Sequence, residues 1–200
     1  MSTTRLLKLG LAAATFVVGL QIAGAAQDAK RNDQVERAFK PGGRIVMDLS
    51  AGGYTIRGGS ADSIRVRWST RDPRDMSSVR TDVVVAGSEA TVRTRGPKNN
   101  FKVDIDVPAL ADVLIDLSAG EVDMKGVEGN KNISMWAGEV RMDVGDAQLY
   151  KLVDVTVRAG EINARPFGGT KGGLFRSYRW DGPGKYSIIA KLAAGEVNLR

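Results

Sequence analysis

Four glutamates, Glu121, Glu139, Glu161 and Glu196, each follow Ala-Gly and precede Val or Ile. If the segments that carry them stack side by side in register, neighbouring carboxylates lie about 5 Å apart, the spacing of paired strands. Like charges that close repel unless a cation or a basic side chain intervenes, so a stacked row could hold calcium through several oxygens. The nonapeptide Gly-Gly-x-Gly-x-Asp pattern of the calcium-binding β-roll is missing from the chain. The plainer account is favoured: each Glu is the outward polar residue of a turn, solvated or paired with Arg141, Arg158 or Lys125. Paired carboxylates also raise glycoside chemistry, since acid/base cleavage of a sugar chain needs only two, and Asp104 with Asp106 or Asp116 with Asp123 would be the pairs. Their spacing is that of outward strand positions, which makes solvated acids the expectation and a catalytic site not the reading adopted.

The 200-residue chain contains no Cys and no His. That removes thiol nucleophiles, Ser-His-Asp chemistry, Cys/His zinc sites, disulfide stapling and lipid anchoring through cysteine. Gly168-Gly169-Thr170-Lys171-Gly172-Gly173 lacks the order of a phosphate-binding loop and reads as a flexible turn. Charge is unevenly placed. Residues 57–102 hold 10 basic and 5 acidic side chains, residues 103–164 hold 5 and 12, and residues 165–200 hold 7 and 2. The expectation is a basic end, an acidic waist and a second basic end. Such a pattern suits self-association or an anionic envelope polymer, approached through Arg65, Arg67, Arg71, Arg74, Arg93 and Arg95. Nucleic acid is a poor match, because few aromatic side chains are placed to stack bases.

The elements that must position these groups are strands. From Gly43 onward, short runs alternate apolar and polar residues between Gly, Asp, Asn or Pro, as in Arg44–Leu49, Ser63–Trp68 and Phe101–Val107. Ahead of them, residues 1–25 read as a signal peptide: Arg5 and Lys8 precede an apolar run, which Ala23-Gly24-Ala25 closes in the manner of a cleavage site. The apolar run is too short for an ordinary membrane span, so a cleaved, exported chain without a transmembrane span is expected, periplasmic or at the cell surface. Residues 26–33 read as a linker and residues 34–200 as the folded domain.

Within that domain one unit is written five times: a strand, a small-Gly-polar turn, and a β-branched or aromatic restart. The copies are Leu49–Tyr54, Leu117–Val122, Met135–Val140, Val157–Ile162 and Leu192–Val197, with their turn glycines at Gly52, Gly120, Gly138, Gly160 and Gly195. The central three glycines lie 18 and 22 residues apart, the period of a solenoid rung. Stacking would place Val122, Val140, Ile162 and Val197 in one interior ladder and Leu117, Met135, Val157 and Leu192 in another. A β-solenoid is the expected architecture, with an antiparallel β-sandwich as the alternative. Phe175, Tyr178 and Trp180 are expected to close the open end of the last rung.

The run FKVDIDVPALADVLIDLSAGEVDM (residues 101–124) resembles the bacterial putative-adhesin domain family, whose members carry repeated β-strands with a Val-Pro strand end and a Gly-Asp or Gly-Glu turn. Residues 41–68 resemble that domain's opening and residues 176–199 its closing repeats. The resemblance implies a β-solenoid-like fold and an envelope location. It carries over no catalytic residue and no cofactor. The role expected of the chain is non-catalytic, adhesin-like binding or scaffolding toward an envelope polysaccharide, a protein partner or another copy, with a carbohydrate-active enzyme on a β-solenoid or a structural envelope-stress protein without small ligand as the alternatives. The sequence departs from the family pattern at Gly53, where the repeat acid is missing.

Overall fold

Alternating apolar and polar residues build 12 strands within residues 33–200, the part of the chain described by this computed structural model. Residues 1–25, read as a signal peptide, lie outside the described residues, as does all of the linker but Asp33. In chain order the strands are β1 (Gln34–Ala38), β2 (Gly43–Leu49), β3 (Gly52–Gly59), β4 (Ser63–Thr70), β5 (Arg80–Ala86), β6 (Glu89–Arg95), β7 (Phe101–Pro108), β8 (Ala111–Lys125), β9 (Lys131–Met142), β10 (Tyr150–Ala164), β11 (Gly169–Asp181) and β12 (Tyr186–Leu199). All join one mixed sheet, so the fold is all-β as the alternation predicts. Among the described residues no helix is long and apolar enough to cross a membrane.

Four of the longer strands, β8, β9, β10 and β12, each have two arms that meet at the Ala-Gly-Glu turn. In β8 the inward residues are Val113, Ile115 and Leu117 before the turn and Val122 and Met124 after it. Alternation therefore changes phase at the turn, and the last inward residue of one arm is followed five positions later by the first of the next. β9, β10 and β12 repeat this pattern, and β2 with β3 do so across Ser50-Ala51. These bent strands stack in parallel in the order β2/β3, β8, β9, β12, β10. The register pairs Leu117, Met135, Leu192 and Val157 in one row and Val122, Val140, Val197 and Ile162 in another. All eight are buried, which makes both expected ladders real.

Spatial order departs from chain order at both ends. β6 lies beside β2 and β7 beside β3, and beyond them run β5 and β4, both antiparallel. At the other end β11 runs antiparallel along β10, and the chain then returns to insert β12 between β9 and β10. The inserted strand carries only Lys191 and Glu196 as charged side chains, so the acidic waist gains no net charge from it, while Lys171, Arg176 and Arg179 lie on the edge strand β11. The structure corrects the role given to Phe175. Tyr178 is buried and Trp180 packs on Phe167 with ring centroids 4.9 Å apart, but Phe175 is 81% exposed and covers nothing.

Candidate binding face

The turn glycines stack in the order Gly52, Gly120, Gly138, Gly195, Gly160. The four that open Gly-Glu turns have φ between +128° and +141°, a region that only glycine enters without strain. A Cβ on Gly120, Gly138, Gly195 or Gly160 would overlap the carbonyl oxygen of the preceding glycine in the stack, so here the strands touch backbone to backbone. One residue on, the same register places Gly53, Glu121, Glu139, Glu196 and Glu161 in one outward row. The structure thus brings the four predicted glutamates together. Arg141 lies across the first pair, donating to the Glu139 carboxylate and standing 3.8 Å from Glu121, as one of the expected partners should. Among the described residues no group of three or more acidic, His or Cys side chains converges as a metal ligand set. Gly53 has ordinary φ and open space where a Cβ would go. Gly53→Glu, which completes the acid row, is therefore expected to change stability by no more than about 0.5 kcal/mol. Thermal unfolding checks this, and a large fall in Tm would show that the departure from the repeat is structural.

The outer face of the second arms, and of the strands that extend it, is laced with ion pairs. Arg57 donates to Asp104 at 2.7 Å, Arg67 to Asp106 at 2.8 Å and Arg65 to Glu36 at 3.0 Å. Asp123 is held by Lys125 and Arg200, each at 3.1 Å. The Arg65 guanidinium, helped by the Ser63 hydroxyl, keeps the Glu36 carboxyl below its usual range. Asp104 and Asp106 are therefore committed to arginines, and Asp116 and Asp123 lie on opposite arms of β8. A face whose charges are matched internally has little left to offer a ligand.

The outer face of the first arms differs. Its rows follow the register: Val46, Leu114, Asn132, Ile189 and Asp154 in one, Asp48, Asp116, Ser134, Lys191 and Thr156 in the next. Nearest the turn, Ser118, Trp136, Ala193 and Arg158 follow in the same order between paired neighbours. A groove of 440 Å³ opens over the last two rows, between Asp116 and Ser118 at one side and Thr156 and Arg158 at the other. Trp136 stands 71% exposed in it. Lys191, Arg158 and Asp116 have no ion-pair partner among the described residues. An aromatic ring beside unpaired charges and hydroxyls is the chemistry of recognition, because each group gains a partner only when something binds.

Sequence reasoning identified the glutamate row but not this groove. Trp136 is legible as a bulky outward residue where the other copies have Ser118, Arg158 and Ala193, and that mismatch within the repeat is the available signal. Lys191 carries no such signal, since only the insertion of β12 brings it beside β9.

No protein-family model matches the sequence, and no curated protein is similar enough to count as a match. Solved structures are similar in fold. A "putative cell adhesion protein" from Clostridium sporogenes superposes with a TM-score of 0.51 at 15% identity, over 83% of this chain and 97% of that one. A "putative lipid binding protein" from Parabacteroides distasonis gives 0.30 at 11% identity, over 83% and 61% of the two chains. A "putative adhesin" from Bacteroides fragilis gives 0.25 at 11% identity, over 84% and 96%. What this chain shares with the clostridial protein is the fold, across nearly the whole of that structure.

Proposed function

We propose that this protein is a non-catalytic scaffold exported to the bacterial cell envelope, whose stacked strands act as solenoid rungs and present the outer face of the first arms to an extended polymer. In this proposal residues 1–25 are the export signal and residues 34–200 the binding domain. Trp136 carries the reading: a tryptophan 71% exposed on a central strand, in a groove lined by unpaired polar groups. Exposed indole is unfavourable in water unless a partner covers it, and strands paired on both sides hold it in a fixed place. The commitment of Asp104 and Asp106 to arginines supports binding over glycoside cleavage. The description of the clostridial fold neighbour in terms of cell adhesion is in keeping with it.

The test is electrophoresis of the protein through native gels that contain soluble polysaccharides, with reducing ends assayed in parallel. Retardation by at least one polymer is expected, without release of reducing ends. Trp136→Ala should abolish it, and Arg57→Gln, on the ion-paired face, should not. Indifference to every polymer, or release of reducing ends, would overturn the proposal.

A further inference from the structure

The groove's charge and shape narrow the class of ligand. Trp136 and Arg158 flank Ala193 in the row nearest the turn, two rungs apart, which is about 10 Å at the spacing of paired strands. Between them the side chain of Ala193 is too short to fill the space, so the groove has an aromatic wall, a low floor and a cationic wall. Lys191 stands two residues before Ala193 on β12 and adds a second cation to the floor side. Ser118, Ser134 and Thr156 place hydroxyls along the same lining, and Asp116 lies two rungs from Lys191.

Each group answers to a part of one ligand. The indole face covers the apolar C–H face of a pyranose ring, the hydroxyls and the Asp116 carboxylate exchange hydrogen bonds with sugar hydroxyls, and the two cations meet an anionic substituent. Asp116 would repel an anion, but it stands on the rung farthest from Arg158 and accepts from hydroxyls instead. A neutral sugar chain would leave Arg158 and Lys191 without partners in the bound state, which counts against it. We propose that the groove over Trp136, Ala193, Arg158 and Lys191 binds an acidic polysaccharide, one ring stacked on Trp136 with its carboxylate held by the two cations. This rests on the binding role proposed above and adds the ligand class.

The full chain is titrated with polygalacturonate and with its methyl ester, which has the same rings without the charge, while tryptophan fluorescence is followed. Trp68 and Trp180 pack against the core, so a response confined to the exposed ring reports the groove. Polygalacturonate is expected to change the emission saturably and to bind at least about tenfold more tightly than the ester. Arg158→Gln with Lys191→Gln should erase that preference while leaving ester binding. Trp136→Ala lacks the reporter ring, so its binding is followed by retardation in native gels containing each polymer, and it should weaken binding of both by about tenfold or more. Both sets of side chains are exposed, and an unchanged Tm shows that each variant folds. Equal binding of acid and ester overturns the inference. Binding of a neutral glucan alone, lost in Trp136→Ala, overturns it while the general binding role stands. Single-stranded DNA bound as tightly as polygalacturonate, with the same dependence on both sets of residues, overturns the sugar specificity. No Trp136-dependent binding to any of these polymers removes both proposals together.

Discussion

Gly138→Ala is expected to destabilise the protein by at least about 4 kcal/mol, a large fraction of the stability of an ordinary domain. Two effects act together. The residue has φ +137°, where an L side chain is strained by roughly 1–3 kcal/mol. The new Cβ would also overlap the carbonyl oxygen of Gly120 on the neighbouring strand β8, which is backbone and cannot rotate away. β8 must then shift, and with it the pairing that runs from Val113 through Met124. The expected fall in Tm is roughly 10–20 °C for a chain of this size. Gly87→Ala is the control. Gly87 also has positive φ, +62°, but has open space where a Cβ would go, so only the conformational cost of about 1–2 kcal/mol applies. Equal losses in the two variants would mean that backbone contact at the turn does not hold the stack together.

Stability is also expected to rise between pH 8 and pH 10, and Lys131→Met is expected to remove the rise. Lys131 is 1% exposed at the start of β9. Its Nζ donates to the Gly129 carbonyl at 3.1 Å and to the Tyr150 hydroxyl at 2.9 Å, and lies 4.9 Å from the centre of that ring. The Tyr150 hydroxyl in turn donates to the Val144 carbonyl at 3.2 Å. Burial pushes the Lys131 ammonium down to about 8, against the partial support of Glu128 and Asp112. An unfolded lysine keeps its proton up to about pH 10.4, so between these values the unfolded chain binds more protons and folding gains with pH. The penalty for the buried charge is complete below pH 8 and is relieved as pH rises through the window, with an upper limit of roughly 3 kcal/mol. Tyr150 works the other way: burial pushes its hydroxyl up to about 12, so above pH 10 the folded chain holds a proton that the unfolded one gives up. Denaturant unfolding at intervals from pH 7 to pH 11 should therefore show a maximum near pH 10 in the parent protein. A parent curve that is flat or falling from pH 8 to 10, or a rise that survives in Lys131→Met, would show that the buried amine is not its source.

Much of the fold was legible because the repeat is written in side-chain size and phase. Leu117 and Val122 stand five positions apart across a small-Gly-polar turn, and the same interval recurs in every copy, so the inward ladders could be drawn before any register was known. Gly53 was legible as a departure, and the open space beside it shows that packing does not demand glycine there. Phe175 was misplaced because an aromatic near the chain end suggested a cover. Its backbone instead takes φ +52° at the level of the turn, and its neighbours Leu174 and Arg176 pair with Ala159 and Val157 on β10.

The sequence by itself determined the all-β class, the five turns, the two interior ladders and the one-row alignment of the glutamates, since each follows from local alternation and from a glycine that no other residue can replace. Only the tertiary structure decided which copies are neighbours. Nothing in a strand's own residues states whether the next strand in space is the next in the chain, because backbone pairing is the same for every candidate partner. The insertion of β12 between β9 and β10 settled that, and in doing so set Lys191 and Ala193 between Trp136 and Arg158, where three unrelated stretches of chain line one groove.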